Sequence, residues 1–252
     1  MRNVKRLISV LLILATLTCC LASCNKGKKN SNLIESAEAA LNEAPYAMDI
    51  VVQYTSDNAA MALVIDGFSK PTMKINVDGD KFKARLDLVN GEAKSYISHT
   101  FVDGVLYTEW QENGVTNQEI TEYTETDKAT LNMVLGENAG IGPEDFEEIE
   151  TKSVSGLSKV TCSKIKREAL EALIASLESD FAALGFVVDV NIDVAIKDAT
   201  LELEIEDGKY NAAILTCLYY VTTAEGSYSV TMTHSTRYTY TKELEIIAPE
   251  FN

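Results

Sequence analysis

His99 and His234 are the only histidines in the chain, and imidazole is the side chain most used as a general base, general acid or metal ligand near neutral pH. Each lies in a run where apolar and polar residues alternate, and the two are far apart in sequence. Isolated in this way, they read as ordinary strand positions. A hydrolase would need one of them beside a nucleophile or a carboxylate. Asp189, Asn191 and Asp193 share one face of an alternating run and could offer oxygens to a hard cation. The glycine turn and later bidentate glutamate of a calcium loop are missing, so these residues read as a solvated face. Glu144, Asp145, Glu147, Glu148 and Glu150 follow Pro143, and acids there read as a helix N-terminus favoured by its dipole. Gly136, Gly140 and Gly142 occur in "GENAGIGP", but the Lys-Ser or Lys-Thr of a phosphate loop does not follow. No Gly-x-Ser-x-Gly or His-Glu-x-x-His occurs. The chain therefore reads as non-enzymatic, with no cofactor and no metal. Cys162 and Cys217 are left open between a disulfide and two buried thiols.

The strongest chemical signal is N-terminal. Arg2, Lys5 and Arg6 precede an almost unbroken apolar run from Leu7 to Leu17. That is the charged and apolar pattern of an export signal, and it is shorter than the ~20 residues of a membrane-spanning helix. The run closes on Leu21-Ala22-Ser23-Cys24. This stretch resembles the lipobox of bacterial lipoprotein signal peptides. The resemblance implies cleavage before Cys24 and a diacylglycerol, with its palmitate-type chains, on the Cys24 thiol. Cys19 and Cys20 lack the two small residues in front and read as filler within the discarded signal. Two acyl chains give stable anchoring where one gives only marginal binding. The expectation is an exported protein held to the outer face of the bacterial cell membrane. Residues 24–31 then form a lipidated tether in which Lys26, Lys28 and Lys29 can add attraction to anionic headgroups.

Charge narrows the partners. The formal net charge is −16. Removing residues 1–23, which carry three positive charges and no acid, takes it to −19. Nucleic-acid binding rests on Lys and Arg neutralising phosphates, so nucleic acid is excluded as a partner.

The periodicity of the remainder supplies the elements. Residues 32–44 carry a helical apolar stripe, with Asn32 as N-cap, Glu35 three residues on and Pro45 as the stop. Alternation of period 2 then dominates from Tyr46 to Leu88, and Asp-Gly or Asn-Gly pairs at 78–79, 90–91, 103–104, 113–114 and 207–208 are hairpin signals. Helices are expected near Leu131–Leu135, from Pro143, and over 167–184, where Leu170, Leu173, Ile174, Leu177 and Phe181 form a stripe. Strands return to the C-terminus, giving about twelve in all.

An N-terminal helix, an antiparallel meander, a helical insertion and a return to long strands resemble the LolA, LppX and LprG class of lipoprotein-carrier folds. The resemblance implies an α+β fold over residues 32–252 as one domain. Its sheet would be a strongly curved, incompletely closed antiparallel half-barrel, covered on its concave side by a few α-helices. It also implies a lipid or other hydrophobic ligand. No ligand-binding residue follows from it. The alternative is a surface interaction or scaffold lipoprotein without a ligand cavity.

Overall fold

The computed structural model describes residues 31–43, 45–59, 62, 72–90, 93–112, 114–122, 141–171, 193–223, 226–241 and 244–251. Helix α1 spans Ser31–Glu43. The strands are β1 (Tyr46–Thr55), β2 (Thr72–Asp78), β3 (Lys81–Asn90), β4 (Ala93–Val102), β5 (Val105–Glu112), β6 (Val115–Glu122), β7 (Phe146–Val154), β8 (Leu157–Ile165), β9 (Asp193–Glu206), β10 (Lys209–Thr223) and β11 (Gly226–Tyr240). They form one antiparallel sheet in the order β6-β5-β4-β3-β2-β1-β11-β10-β9-β8-β7. Every neighbouring pair is consecutive in sequence except β1 and β11, which join the two meanders.

This corrects the expected fold class. The α+β half-barrel under a few helices is not what the described residues build. They build an all-β sheet with a single long helix, α1. The segment after Pro143 shows why. It makes one 3₁₀ turn, Pro143–Asp145, and then becomes β7. A short helix must meet a nucleation cost for few hydrogen bonds, whereas Phe146–Val154 finds a complete ladder on β8. Glu147, Glu148 and Glu150 are therefore exposed strand residues and do not cap a helix. Residues 167–171 are helical. The rest of the 167–184 stretch, the Leu131–Leu135 stretch, Gly136 and Gly140 lie outside the described residues. At α1 itself, Asn32 sits inside the helix and not at its cap.

Alternation decides which side chains are buried. Partners across an antiparallel ladder point to the same face. Met48, Ile75, Ala84, His99 and Thr108 thus form one row across β1 to β5. Rows of this kind make an apolar inner face, and Ile34 and Ala37 of α1 pack into the same core over β9 and β10. The opposite, outer face is mostly polar. The C-terminal segment lies against part of it. Thr241 N–H donates to the Pro45 carbonyl at 3.3 Å. Further on, the Phe251 ring meets the outer-face Tyr107 edge-on, with centroids 5.7 Å apart. Ile246, 4% exposed, and the outer-face residues Val102, Thr100 and Ser98 are buried apart from the main core.

Turn chemistry and bulges fix the register. Asp103-Gly104 (φ 54° and 80°) and Ser155-Gly156 (φ 52° and 91°) place both central residues at positive φ, as a two-residue type I′ hairpin requires. At the first hairpin the central pair is Gly79-Asp80, because Asp78 already pairs with Lys81. The ladder of β9 with β10 slips between Tyr210 and Ala212, leaving Asn211 as the extra residue. Tyr210 (1% exposed) and Ala213 (6%) can then both face the core although their numbers differ in parity.

Cys162 and Cys217 are buried free thiols on the inner face. β9 runs between them, with Leu201 opposite Cys162 and Ala199 opposite Cys217. Burial, the larger cause, and a nearby acid (Glu144 and Asp198 respectively) push both up to about 12. Alkylation resolved by mass spectrometry should leave both unmodified in the native protein and modify both in denaturant. Rapid native labelling, or a bond between them, would contradict this placement.

Candidate functional site

The inner face becomes more polar toward β6. On β3 it shows Phe82, Ala84 and Leu86, all buried. On β4 it shows Ile97, His99 and Phe101, and on β5 Leu106, Thr108 and Trp110. On β6 the same face carries Asn117, Glu119 and Thr121. One row therefore runs from exposed Glu119 through half-buried Thr108 to His99. β6 shows no alternation of burial because it is an edge strand with polar residues on both faces.

His99 Nδ1 lies 3.0 Å from Thr108 Oγ1. Its Nε2 is sealed from solvent and has no hydrogen-bond partner among the described residues. The Phe82 and Phe101 rings stack beside it, with centroids 5.7 Å apart. Trp110, the chain's only tryptophan, stands next along β5 on the same face, opposite Ile97. Desolvation lowers the His99 pKa to about 4, so the ring is neutral at physiological pH.

His234 is the second imidazole on this face. It is 3% exposed, its registered neighbours are Val52 and Leu215, and its Nε2 also has no hydrogen-bond partner among the described residues. Desolvation lowers its pKa to about 3. Four strand spacings separate β11 from β4, about 19 Å along the sheet, so the histidines mark two separate positions on one wall. A buried polar atom without a hydrogen bond is disfavoured by about 1–3 kcal/mol.

A different polar set covers the outer face of the same strands. Arg85 forms a bidentate pair with Asp87 (2.8–3.0 Å) and lies 4.1 Å over the Tyr96 ring. Tyr96 Oη donates to Glu109 at 2.7 Å, and Gln118 Nε2 donates to it at 3.0 Å. The hydrogen bonds from Gln118 and then Tyr96 hold the Glu109 carboxyl below its usual range. All its members are occupied with each other, so it ties β3, β4, β5 and β6 together.

The other sequence candidates do not converge. Gly142 N–H donates to Asp145 Oδ2 at 2.8 Å, closing the 3₁₀ turn. Glu148 pairs with Lys164 on the neighbouring strand. Asp193 opens β9, while Asp189 and Asn191 lie outside the described residues. No group of three metal-ligating side chains occurs among the described residues. Cys19, Cys20, Cys24 and residues 24–30 of the tether lie outside the described residues. Sequence reading missed Thr108, Trp110 and Glu119. Their signal was their shared phase, which becomes a row only once the β4–β5–β6 register is known.

His99 and Thr108 superficially resemble a base and a nucleophile. The imidazole lacks an orienting carboxylate on Nε2, and its lowered basicity removes proton-accepting power at neutral pH. The arrangement is suited to hydrogen bonding within an apolar wall.

No protein-family model and no curated protein matches the chain. Among solved structures, the chain aligns with the ywiB protein from Bacillus subtilis at 9% identity and TM-score 0.18, covering 77% of this chain and 91% of that one. It aligns with the dehydratase domain from the CurF module of curacin polyketide synthase at 10% identity and TM-score 0.18, covering 83% and 81%. It aligns with the acyl-CoA thioesterase II TesB2 from Mycobacterium marinum at 9% identity and TM-score 0.13, covering 84% and 90%. Scores this low support no inference about fold or activity.

The buried His234 ring and the half-buried His99 ring, whose Nε2 is covered, predict acid sensitivity. A histidine with a folded pKa below its unfolded value of 6.5 contributes stability that is complete above that value. The contribution is lost as pH falls toward the folded pKa. Urea unfolding should show stability dropping between about pH 6.5 and 4, by roughly 1.4 kcal/mol per pH unit for each ring. His234→Leu should flatten this slope without weakening the protein at neutral pH, because an apolar group of similar size replaces an unsatisfied one. An unchanged slope would mean that the ring is not buried neutral.

Proposed function

We propose that the protein is an exported, non-enzymatic lipoprotein that binds an amphiphilic, largely hydrophobic ligand at the membrane to which diacylglycerol on Cys24 ties it. The observation that carries the ligand reading is the pair of imidazole Nε2 atoms, on His99 and His234, covered and without hydrogen-bond partners among the described residues in a largely apolar sheet face. Burial of such atoms is favourable only when something hydrogen-bonds them. A ligand with an apolar chain and a polar group fits both halves of that requirement. The anchoring reading rests on the Leu21-Ala22-Ser23-Cys24 sequence and the export signal before it. A lipid anchor also places the protein where amphiphiles concentrate.

The interaction-module reading has one observation in its favour. Edge strand β6 exposes Val115 and Ile120, at 60% and 57%, and edge strands invite pairing with another chain. Chemical crosslinking in the membrane would then trap a protein through β6.

Two measurements test the leading reading. Cells fed an alkyne-tagged palmitate should yield a labelled protein whose first residue is Cys24, and Cys24→Ser should abolish the label. Labelling that survives in Cys24→Ser would end the anchoring proposal. Trp110 emission should be quenched saturably by a brominated-chain amphiphile and recover when an unbrominated one competes. Quenching that rises linearly without competition would reveal membrane partitioning alone and end the ligand proposal.

A further inference from the structure

The inner face has a property beyond its apolarity, which bears on what kind of head group it accepts. Among the described residues, no lysine or arginine belongs to the inner-face rows, and α1 supplies none. Lys209 touches that face only at its end, where its Nζ lies 5.1 Å over the Tyr240 ring. The acid on these rows is Glu119, and it is exposed on the β6 rim. Inside the rim, the row offers a hydroxyl on Thr108 and an imidazole on His99. Both are uncharged hydrogen-bonding groups, and both can act as donor or acceptor depending on where the proton sits.

From this we infer that the ligand head is electrically neutral: a hydroxyl, amide or ester carbonyl at the end of a long apolar chain, bonded to His99 Nε2, which it reaches by displacing the side chains that cover that atom. This deepens the ligand reading above and rests on it. An anionic head would find no counter-charge beside His99 among the described residues and would approach a mature chain of net charge −19. A cationic head could sit against Glu119, but only on the wet rim, where Nε2 of His99 is out of reach. Moving either ion inward leaves a buried charge unpaired, which is disfavoured far more than burying a neutral group whose hydrogen bond is made. A hydroxyl also suits either tautomer of His99, since it can donate to a bare Nε2 or accept from a protonated one.

The test uses the full lipid-anchored chain in phosphatidylcholine vesicles, which contain no tryptophan. Three probes of equal chain length compete against the brominated amphiphile at Trp110: a long-chain alcohol, the fatty acid under conditions where it is ionised, and the alkyltrimethylammonium ion. They are compared at equal concentration in the membrane. The alcohol should compete at least about tenfold better than either ion, reflecting the unpaired charge it avoids. His99→Leu should remove that advantage. His99→Gln restores a donor and an acceptor and should keep it, which separates loss of the hydrogen bond from a general disturbance of the wall. Equal or better competition by the carboxylate or the ammonium ion would overturn the neutral-head inference while leaving the ligand reading in place. Failure of all three to compete would overturn both.

Discussion

The pairing of β1 with β11, from Tyr46↔Tyr240 to Thr55↔Thr231, is the contact on which the rest of the structure depends. Without it the chain would be two meanders, each with an unpaired edge at its middle and an apolar face too narrow to bury. With it, Met48, Ile50 and Val52 meet Tyr238, Thr236 and His234, and the buried rows become continuous across the sheet. The partners are separated by most of the chain, so ordering the intervening length opposes the pairing until it forms. Folding should accordingly be slow in its final, seam-closing step, as for other sheets built on distant contacts.

The seam also decides where the flanking segments go. α1 precedes β1 and covers the inner face at β9 and β10, and the C-terminal segment follows β11 and crosses the outer face toward β5. Both begin beside the pairing of Tyr46 with Tyr240, whose rings lie 6.3 Å apart. The two faces therefore acquire cover from opposite ends of one pair of neighbouring strands. The outer face has such cover near Val102, where its polar pattern is interrupted. Elsewhere it is served by ladders such as Arg85–Tyr96–Glu109–Gln118, which hold strands together through water-facing groups.

How much of this was legible in the sequence follows from range. Strand alternation is local, and the alternating run from Tyr46 onward is met by β1, Tyr46–Thr55, whose buried residues are Met48, Ile50 and Val52. Asp-Gly turns are local as well, and Asp103-Gly104 and Asp207-Gly208 adopt the positive φ angles that the dipeptide favours. Bulges are not local. The alternation changes phase between Ile196 and Leu201, yet β9 is continuous, with its slip opposite Leu218 and Tyr219. The segment after Pro143 was misread because helix-favouring acids were weighed without knowing that β8 offered a free edge. The histidines were judged ordinary because nothing in sequence reveals whether a strand residue's ring finds a partner. Thr108 beside His99 is visible only through the β4–β5 register.

Their placement separates stability from function. Leucine at position 99 would extend the apolar row through Ala84 but take away the hydrogen-bond partner of Thr108. Leucine at position 234 would extend the row through Val52 and Leu215 and leave no imidazole nitrogen to satisfy. With that second change the fold should be at least as stable, since burial of a methyl-bearing side chain is favourable and burial of an orphan imidazole nitrogen is not. Folding alone gives no reason for an imidazole at position 234. Hydrogen bonding does, because in a low-dielectric wall one well-aimed neutral group discriminates among otherwise similar greasy molecules more sharply than added apolar area can. On the proposed ligand reading the wall would supply affinity through its surface and selectivity through Nε2. The acid-sensitive stability expected from the lowered pKa of both rings would then be the physical trace of keeping those two nitrogens inside.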